Sequence, residues 1–320
     1  MAEASAGKDS VTGHWEMMGL VLERPFPTFP SGFPAAVIEE FEGRIGRGSI
    51  GNVVASGTEI IDRLGPEHVR TGKPIVYTSA DSVFQIAAHE DVIPVAELYR
   101  MCEIAFAIVG RGMGVGRVIA RPFVGAPGAF TRTSNRHDYA LDPTGQTLLD
   151  HLTGRGIPVV SIGKVKDLFA GRGITQAIPT VSDADGVDRV LDAMETASDG
   201  LIFANLVDSD TMYGHRNDVA GYAANIERFD ERLEAVLGKL RDTDLLVITA
   251  DHGNDPTTPS TDHSREHVPL LMTGRRVKRG AELGTRSSFA DLGQTLAANF
   301  SVGPLAHGVS FLEDVVVEHS

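Results

Sequence analysis

Apolar residues in this chain follow two rhythms. Near-continuous apolar runs occur at 156–163 (Gly156-Ile157-Pro158-Val159-Val160-Ser161-Ile162-Gly163), at 200–207 (Gly200-Leu201-Ile202-Phe203-Ala204-Asn205-Leu206-Val207) and from Leu245 to Ile248. Each is short and bounded by glycine or polar residues, and reads as a buried strand. Elsewhere the spacing changes to three and four. Tyr222, Ile226, Phe229, Leu233, Val236, Leu237 and Leu240 mark one apolar face of a helix, with Glu227, Asp230, Glu231 and Glu234 as its solvated side. Further helices are expected around Leu148 to Leu152 and from Asp185 to Ala197. Strands and helices alternate, which predicts an α/β fold whose mainly parallel sheet is covered by helices.

The strand ends carry the candidate chemistry, since open α/β sheets collect their ligands beyond the carboxyl ends of strands. The run ending at Ile248 leads into Asp251-His252-Gly253, and the run ending at Val207 leads into Asp208, Asp210 and His215. A lone Asp-His pair is equally a helix cap beside a solvated imidazole. Two strand ends, each pairing a carboxylate with an imidazole, point instead to a metal site. The segment Asp262-His263-Ser264-Arg265-Glu266-His267 adds two imidazoles four apart, with Asp262 placed to orient the first. Near the amino terminus, Gly7-Lys8-Asp9-Ser10-Val11-Thr12-Gly13-His14-Trp15-Glu16 offers a hydroxyl. Hydroxyls are weak nucleophiles at neutral pH, and a divalent cation is one remedy. Ser10 is the candidate nucleophile and Thr12 its rival; the plain alternative is a helix cap with His14 hydrogen-bonded nearby.

Other features are set aside. Gly110-Arg111-Gly112-Met113-Gly114-Val115-Gly116 is rich in glycine, but it follows a helix and precedes a strand, the reverse of a phosphate-cradling loop. Cys102 lies among Leu98, Ala105 and Ile108 and reads as a small core residue. His68, His89 and His319 have no companions at ligand spacing. Arg117, Arg121, Arg132 and Arg136 form a run of guanidinium groups suited to phosphate oxygens, with surface ion pairing as the alternative for each. Arg117 and Arg121 are an even number apart on a predicted strand, so they share a face. Ser79 and Asp81, after the predicted Pro74–Tyr77 strand, suit either sugar hydroxyls or turn capping.

The motif at 7–16, Asn205-Leu206-Val207-Asp208 leading to Gly214-His215-Arg216, and Ala250-Asp251-His252-Gly253-Asn254-Asp255-Pro256 leading to Thr261-Asp262-His263 together resemble the phosphopentomutases. The metal motifs alone would indicate only the wider alkaline-phosphatase-like group. Ala55-Ser56-Gly57-Thr58-Glu59-Ile60, the stretch Val76 to Val83, Arg117-Val118-Ile119-Ala120-Arg121-Pro122-Phe123 and Phe130-Thr131-Arg132-Thr133 with Asn135-Arg136-His137-Asp138-Tyr139 carry the narrower resemblance. Departures are serine at 10, where many relatives carry threonine, and the lack of a leading strand whose aspartate ligates one metal in the family. From the latter, the 320 residues as given are expected to be much less active than a chain that includes it.

The resemblance implies an alkaline-phosphatase-like core of 1–27 and 138–320, with a smaller α/β cap, 28–137, inserted between the Pro25-Phe26-Pro27 exit and the Asn135–Asp138 return. It implies two divalent metal ions, preferably manganese: Asp210, His215 and His263 on one, and Asp251, His252 and Ser10 on the other. It further implies a phosphorylated Ser10, a sugar bisphosphate as primer, and conversion of ribose or deoxyribose 1-phosphate into the 5-phosphate through a 1,5-bisphosphate, with the cap closing to exclude water. Ser79, Asp81, Arg117, Arg121, Arg132, Arg136 and Lys164 are the expected substrate contacts. A metal-dependent phosphatase and a weakly active sugar-phosphate-binding remnant are the competing readings.

Composition narrows the setting. Lys plus Arg total 29 against 43 for Asp plus Glu, a net charge of −14, which disfavours nucleic-acid or anionic-membrane binding. One cysteine excludes an internal disulfide framework and suits a reducing compartment. No apolar run approaches the roughly 18 residues that span a bilayer. A cytoplasmic enzyme acting on a pentose phosphate is expected.

Overall fold

The computed structural model describes residues 1–79 and 81–317; Ala80 and His319, both noted above, lie outside them. The chain forms a discontinuous unit, Met1–Pro25 with Asp142–Ser320, and an inserted unit, Phe26–Leu141.

Helix α1 (Ser10–Met17) opens the discontinuous unit, and seven of its residues, Val11 through Met17, are buried. Within the inserted unit follow α2 (Ala35–Ile45), β1 (Ile50–Val54), α3 (Gly57–Thr71), β2 (Ile75–Thr78), β3 (Val83–His89) and α4 (Val95–Ala105). A π-helical turn, Phe106–Gly110, joins α4 to α5 (Arg111–Met113), and β4 (Arg117–Val124), β5 (Thr131–Arg132) and β6 (His137–Ala140) complete the unit. The glycine-rich stretch does connect a helix to a strand. The sheet runs β1-β2-β3-β4-β5, with β6 also on β4. Its central strands are buried on both faces, as a sheet covered by helices requires. Val76, Phe84, Ile86, Val118 and Ala120 pack with Phe41, Leu98, Met101 and Cys102. On the opposite face Ile75, Tyr77, Ala87 and Phe123 pack with Ile60 and Ile61 of α3. Cys102 is a buried core residue, and burial pushes its thiol up, out of nucleophilic range.

His68 and His89 have a structural role. Nδ1 of His68 lies 2.7 Å from the Lys73 carbonyl and its Nε2 accepts from the His89 N–H at 2.8 Å. Nε2 of His89 lies 3.0 Å from the Gly125 carbonyl and its Nδ1 accepts from the Asp91 N–H at 3.2 Å. A carbonyl cannot donate and an N–H cannot accept, so both rings are neutral with fixed tautomers. Burial lowers the His68 pKa, so the unfolded chain takes up the proton first. The stabilisation is complete above the unperturbed imidazole value of about 6.5 and is lost as pH falls below it. The thermal midpoint should therefore decline more steeply between about pH 6.5 and 5 in the native chain than in His68→Gln. Equal slopes in scanning calorimetry would remove His68 from this account.

The discontinuous unit resumes with α6 (Leu148–Gly154), β7 (Val159–Ile162), α7 (Val165–Leu168), β8 (Gln176–Ile178), α8 (Asp183–Thr196), β9 (Leu201–Ala204), α9 (Val219–Lys239), β10 (Leu246–Thr249), β11 (Leu270–Thr273), α10 (Ala290–Asn299) and α11 (Leu312–Val315). Strands β8, β7 and β9 form a parallel sheet, while β10 and β11 pair antiparallel. Two expectations of burial need correction. Strands β9 and β10 are only partly buried along their length, and among the described residues each pairs with one neighbour. Helix α9 has the expected period, but Ile226 and Leu237 are 52% and 43% exposed. The rest of the predicted face is turned inward, with Val236 buried and Tyr222, Phe229, Leu233 and Leu240 partly buried, and it is joined by the polar Asn225, whose Nδ2 donates to Asp183 at 2.8 Å and to Ser209 at 3.0 Å. Ion pairs Arg232–Asp188 and Lys239–Glu195 hold the helix to α8 in that rotation. No helix among the described residues is long and apolar enough to cross a membrane.

Candidate metal centre and nucleophile

Helix α1 delivers the amino-terminal motif to the end of β10. Asp9 caps it, accepting from the N–H groups of Val11 and Thr12, both at 3.1 Å. The second Asp9 oxygen accepts from the Thr12 hydroxyl at 2.6 Å. Thr12 is thus buried and committed to the cap. Ser10, at the first helical position, lies with Oγ 3.3 Å from Nε2 of His252. Gly13 allows this approach: a Cβ there would sit 1.6 Å from the Asp251 carbonyl oxygen. One turn on from Ser10, the His14 Nδ1 is 2.8 Å from the Ser10 carbonyl and 3.2 Å from Asp251 Oδ2. Glu16 is fully buried and accepts from the N–H groups of Ala4, Ser5 and Phe289 and from the Ser288 hydroxyl.

A clamp ties residues 3–8 to the loop carrying His263. Lys8 pairs with Asp262 at 2.8 Å and donates to the His263 carbonyl, while the Lys8 carbonyl lies 3.0 Å from Nδ1 of His263. Arg265 donates to the carbonyls of Ser5, Ala6 and Gly7 and sits 3.4 Å from the buried carboxylate of Glu3. Burial raises Glu3 to about 7, against the opposing pull of Arg265.

Asp210, on a π-helical turn after β9, His215, on the 3-10 turn that follows, and His263 bring one ligand atom each within 4.8 Å of one another. Nδ1 of His215 is held by the Thr261 carbonyl at 2.6 Å and Nδ1 of His263 by that of Lys8, so Nδ1 is the donor in both rings and Nε2 is turned inward. Asp210 Oδ1 is buried and lies 3.2 Å from both Nε2 atoms. One carboxylate oxygen facing two inward Nε2 atoms is a donor set of hard oxygen and imidazole that suits a divalent transition metal. Burial would raise the Asp210 pKa, but His263, His215 and His252 outweigh it and hold the carboxylate below its ordinary range.

A second group adjoins the first. Asp251 Oδ2 is 3.6 Å from Nε2 of His252, which also faces Ser10; Nδ1 of His252 is 3.1 Å from the Gly253 carbonyl. The rings of His252 and His263 stack at 3.7 Å. At Asp251 too, burial is outweighed, here by His252 and His14, and the carboxylate is held far below its usual pKa. His14, which sequence reasoning left as a bystander, is in contact with Asp251; its place four residues after Ser10, on the same helical face, was the available signal. His267, by contrast, is exposed.

The remaining expected contacts are distributed as follows. Arg117 lies 3.8 Å from both Asp81 and Asp138, Arg136 grips Asp138 with two donors at 2.7 and 2.6 Å, and Arg121 donates to Gln85 at 3.1 Å. Ser79 accepts from the Asp81 N–H at 3.4 Å, a turn contact. Arg132 is exposed on β5. Lys164, in the discontinuous unit, is exposed at the start of α7.

A family model described as Metalloenzyme superfamily matches residues 6–304. The phosphopentomutase of Caldanaerobacter subterraneus subsp. tengcongensis is 58% identical over 98% of this chain and 80% of its own length. That of Clostridium novyi is 56% identical over the same shares, and that of Dictyoglomus turgidum is 58% identical. The chain thus spans about four fifths of the length of these relatives. Among solved structures, a Pyrococcus horikoshii protein aligns over 96% of this chain and 87% of that one, with a TM-score of 0.48 at 14% identity, too distant to bear on chemistry.

Proposed function

The chain belongs to the phosphopentomutase family of the metalloenzyme superfamily, and from that membership we propose that it interconverts ribose or deoxyribose 1-phosphate and 5-phosphate. The observation that carries the reading is the convergence of Asp210, His215 and His263 beside a second group of Asp251, His252 and Ser10. Each group pairs a carboxylate with imidazole, which supports two divalent ions, with manganese favoured by the ligand types. When bound, these ions would polarise phosphoryl oxygens and lower the pKa of the Ser10 hydroxyl.

Ser10 Oγ carries the phosphoryl group, loaded from a sugar bisphosphate primer. It passes the group to the free hydroxyl of a pentose monophosphate, giving the 1,5-bisphosphate, and recovers phosphate from the opposite end, so that Ser10 ends as it began. His14 holds Asp251 as the anion through its Nδ1–H, and Asp9 keeps Thr12 out of competition. The arginines of the inserted unit, with Ser79 and Asp81, grip the sugar and its non-reacting phosphate; Lys164 is proposed as a further contact. The net negative charge and lone buried cysteine fit a cytoplasmic enzyme of small phosphorylated substrates, not a nucleic-acid or membrane binder.

Conversion of ribose 1-phosphate to the 5-phosphate with manganese and primer, abolished by chelation, is the expected assay result. Release of inorganic phosphate without isomerisation would replace the mutase reading by a phosphatase one. Metal analysis should also show each of Asp210→Ala, His215→Ala, Asp251→Ala, His252→Ala and His263→Ala losing at least about one equivalent of manganese. Unchanged stoichiometry in all five would sink the ligand assignment.

A further inference from the structure

We propose that Arg265 is a positioning residue for the metal centre: it holds the strap of residues 1–8 on the course that sets the Lys8 carbonyl against Nδ1 of His263. The strap runs antiparallel to 263–268. At one end Met1 and Val268 exchange hydrogen bonds, the Met1 amino group donating at 2.5 Å and its carbonyl accepting at 2.9 Å. At the other, the Lys8 carbonyl meets His263 Nδ1 at 3.0 Å. Between these ends the strap's N–H groups turn away from the loop, those of Ala4 and Ser5 to Glu16 and that of Ala6 to the Leu22 carbonyl. Its carbonyls turn toward Arg265, one terminal nitrogen of which lies 3.1, 2.6 and 3.2 Å from the oxygens of Ser5, Ala6 and Gly7. A single side chain thereby gathers the three carbonyls that lead up to Lys8.

The other terminal nitrogen of Arg265 lies 3.4 Å from Glu3, whose side chain is 3% exposed and whose carboxylate has no hydrogen bond among the described residues. One guanidinium thus faces a buried charge and three backbone oxygens at once, as its planar fork of five donors permits. The Lys8–Asp262 pair is a weaker anchor, because its side chains are 42% and 44% exposed and exposed pairs contribute little. The loop's remaining tie is the Ser264 N–H, which donates to the Gly253 carbonyl at 3.0 Å, next to His252. That tie sets where His263 stands but not which ring nitrogen carries the proton. The tautomer of a metal-binding imidazole follows from the partner of its outer nitrogen. With the strap in place, the Lys8 carbonyl accepts from Nδ1–H, and Nε2 faces Asp210 at 3.2 Å as a ligand. With the strap displaced, Nδ1 loses its acceptor, and a proton on Nε2 donates to Asp210 instead, closing that nitrogen to a metal.

This role rests on His263 as a metal ligand, part of the reading above, and the test separates the two. Manganese is titrated into the metal-free protein without substrate, and binding is followed by the electron-spin signal of the free ion. Arg265→Ala combined with Glu3→Gln, the second change sparing an unpaired buried carboxylate, should weaken binding of one ion roughly ten- to a hundredfold. Glu3→Gln alone leaves the guanidinium on its carbonyls and should bind as the native chain does. Arg265→Lys keeps the charge but not the fork, and should fall between them. Ring-nitrogen NMR of the metal-free samples, above the ordinary imidazole range, reads the tautomer: the proton of His263 should sit on Nδ1 in the native chain and in Glu3→Gln, and on Nε2 in the double variant. A merely structural arginine would lower the thermal midpoint while the folded double variant kept native manganese affinity and the native tautomer. That result, with His263→Ala still losing an ion, would overturn the role of Arg265 and leave the metal centre standing. Equal losses in Glu3→Gln and the double variant would also overturn it, by assigning the effect to the ion pair. Native manganese binding by His263→Ala would overturn both the role and the ligand assignment.

Discussion

Ser10→Ala should lose phosphoryl transfer by roughly a thousandfold or more while Asp210, His215 and His263 keep their metal. The size follows from removing the atom that forms the covalent intermediate, for which no neighbouring group can stand in. Thr12 is the only nearby hydroxyl in the motif, and it is buried and donates to Asp9 at 2.6 Å. Moving it to the metal centre would break the α1 cap, at a cost of about 1 kcal/mol before any repositioning of the helix. Ser10 needs no such movement, since Oγ already lies 3.3 Å from Nε2 of His252. Ser10→Thr should remain active, because it keeps the hydroxyl at the same place. Radiolabel transfer from a bisphosphate primer followed by peptide mapping reads this directly. Label on Thr12, or substantial turnover by Ser10→Ala, would refute the assignment.

Gly13→Ala should cost on the order of 3 kcal/mol or more and at least about a hundredfold in activity. The added methyl would land 1.6 Å from the Asp251 carbonyl oxygen and 2.7 Å from its carbon, both rigid backbone atoms. Either α1 or the end of β10 must move. Ser10 rides on the first and Asp251 with His252 follows the second, so nucleophile and ligands separate whichever gives way. A displacement near 1 Å is enough for a large loss of rate. Gly43→Ala is the matched control: it also lies within a helix, α2, but nothing stands within 4 Å of its Cβ position, and Ala there should be neutral or mildly stabilising. Melting curves, metal stoichiometry and turnover of the two variants give the comparison. A Gly13→Ala protein indistinguishable from the native one would show that the α1–β10 contact does not set the centre.

Sequence determined the elements and the chemical inventory. The apolar runs before Asp208 and Asp251 form strands β9 and β10 because local polarity and β-branching act over a few residues. Which residues offer carboxylate, imidazole or hydroxyl needs no structure at all, and motif spacing identified the family. Tertiary structure decided what period and motif leave open. The spacing of α9 described an amphipathic helix, but packing against α8 set which face was buried, choosing Asn225 over Ile226. The choice between Ser10 and Thr12 rested on whether a hydroxyl met Asp9 or His252, and the latter is 242 residues away in the chain. Lys8 meets His263 across 255 residues. Local propensity decays within a turn or two along the chain. Convergence of distant segments is set by packing in three dimensions, which no local pattern encodes.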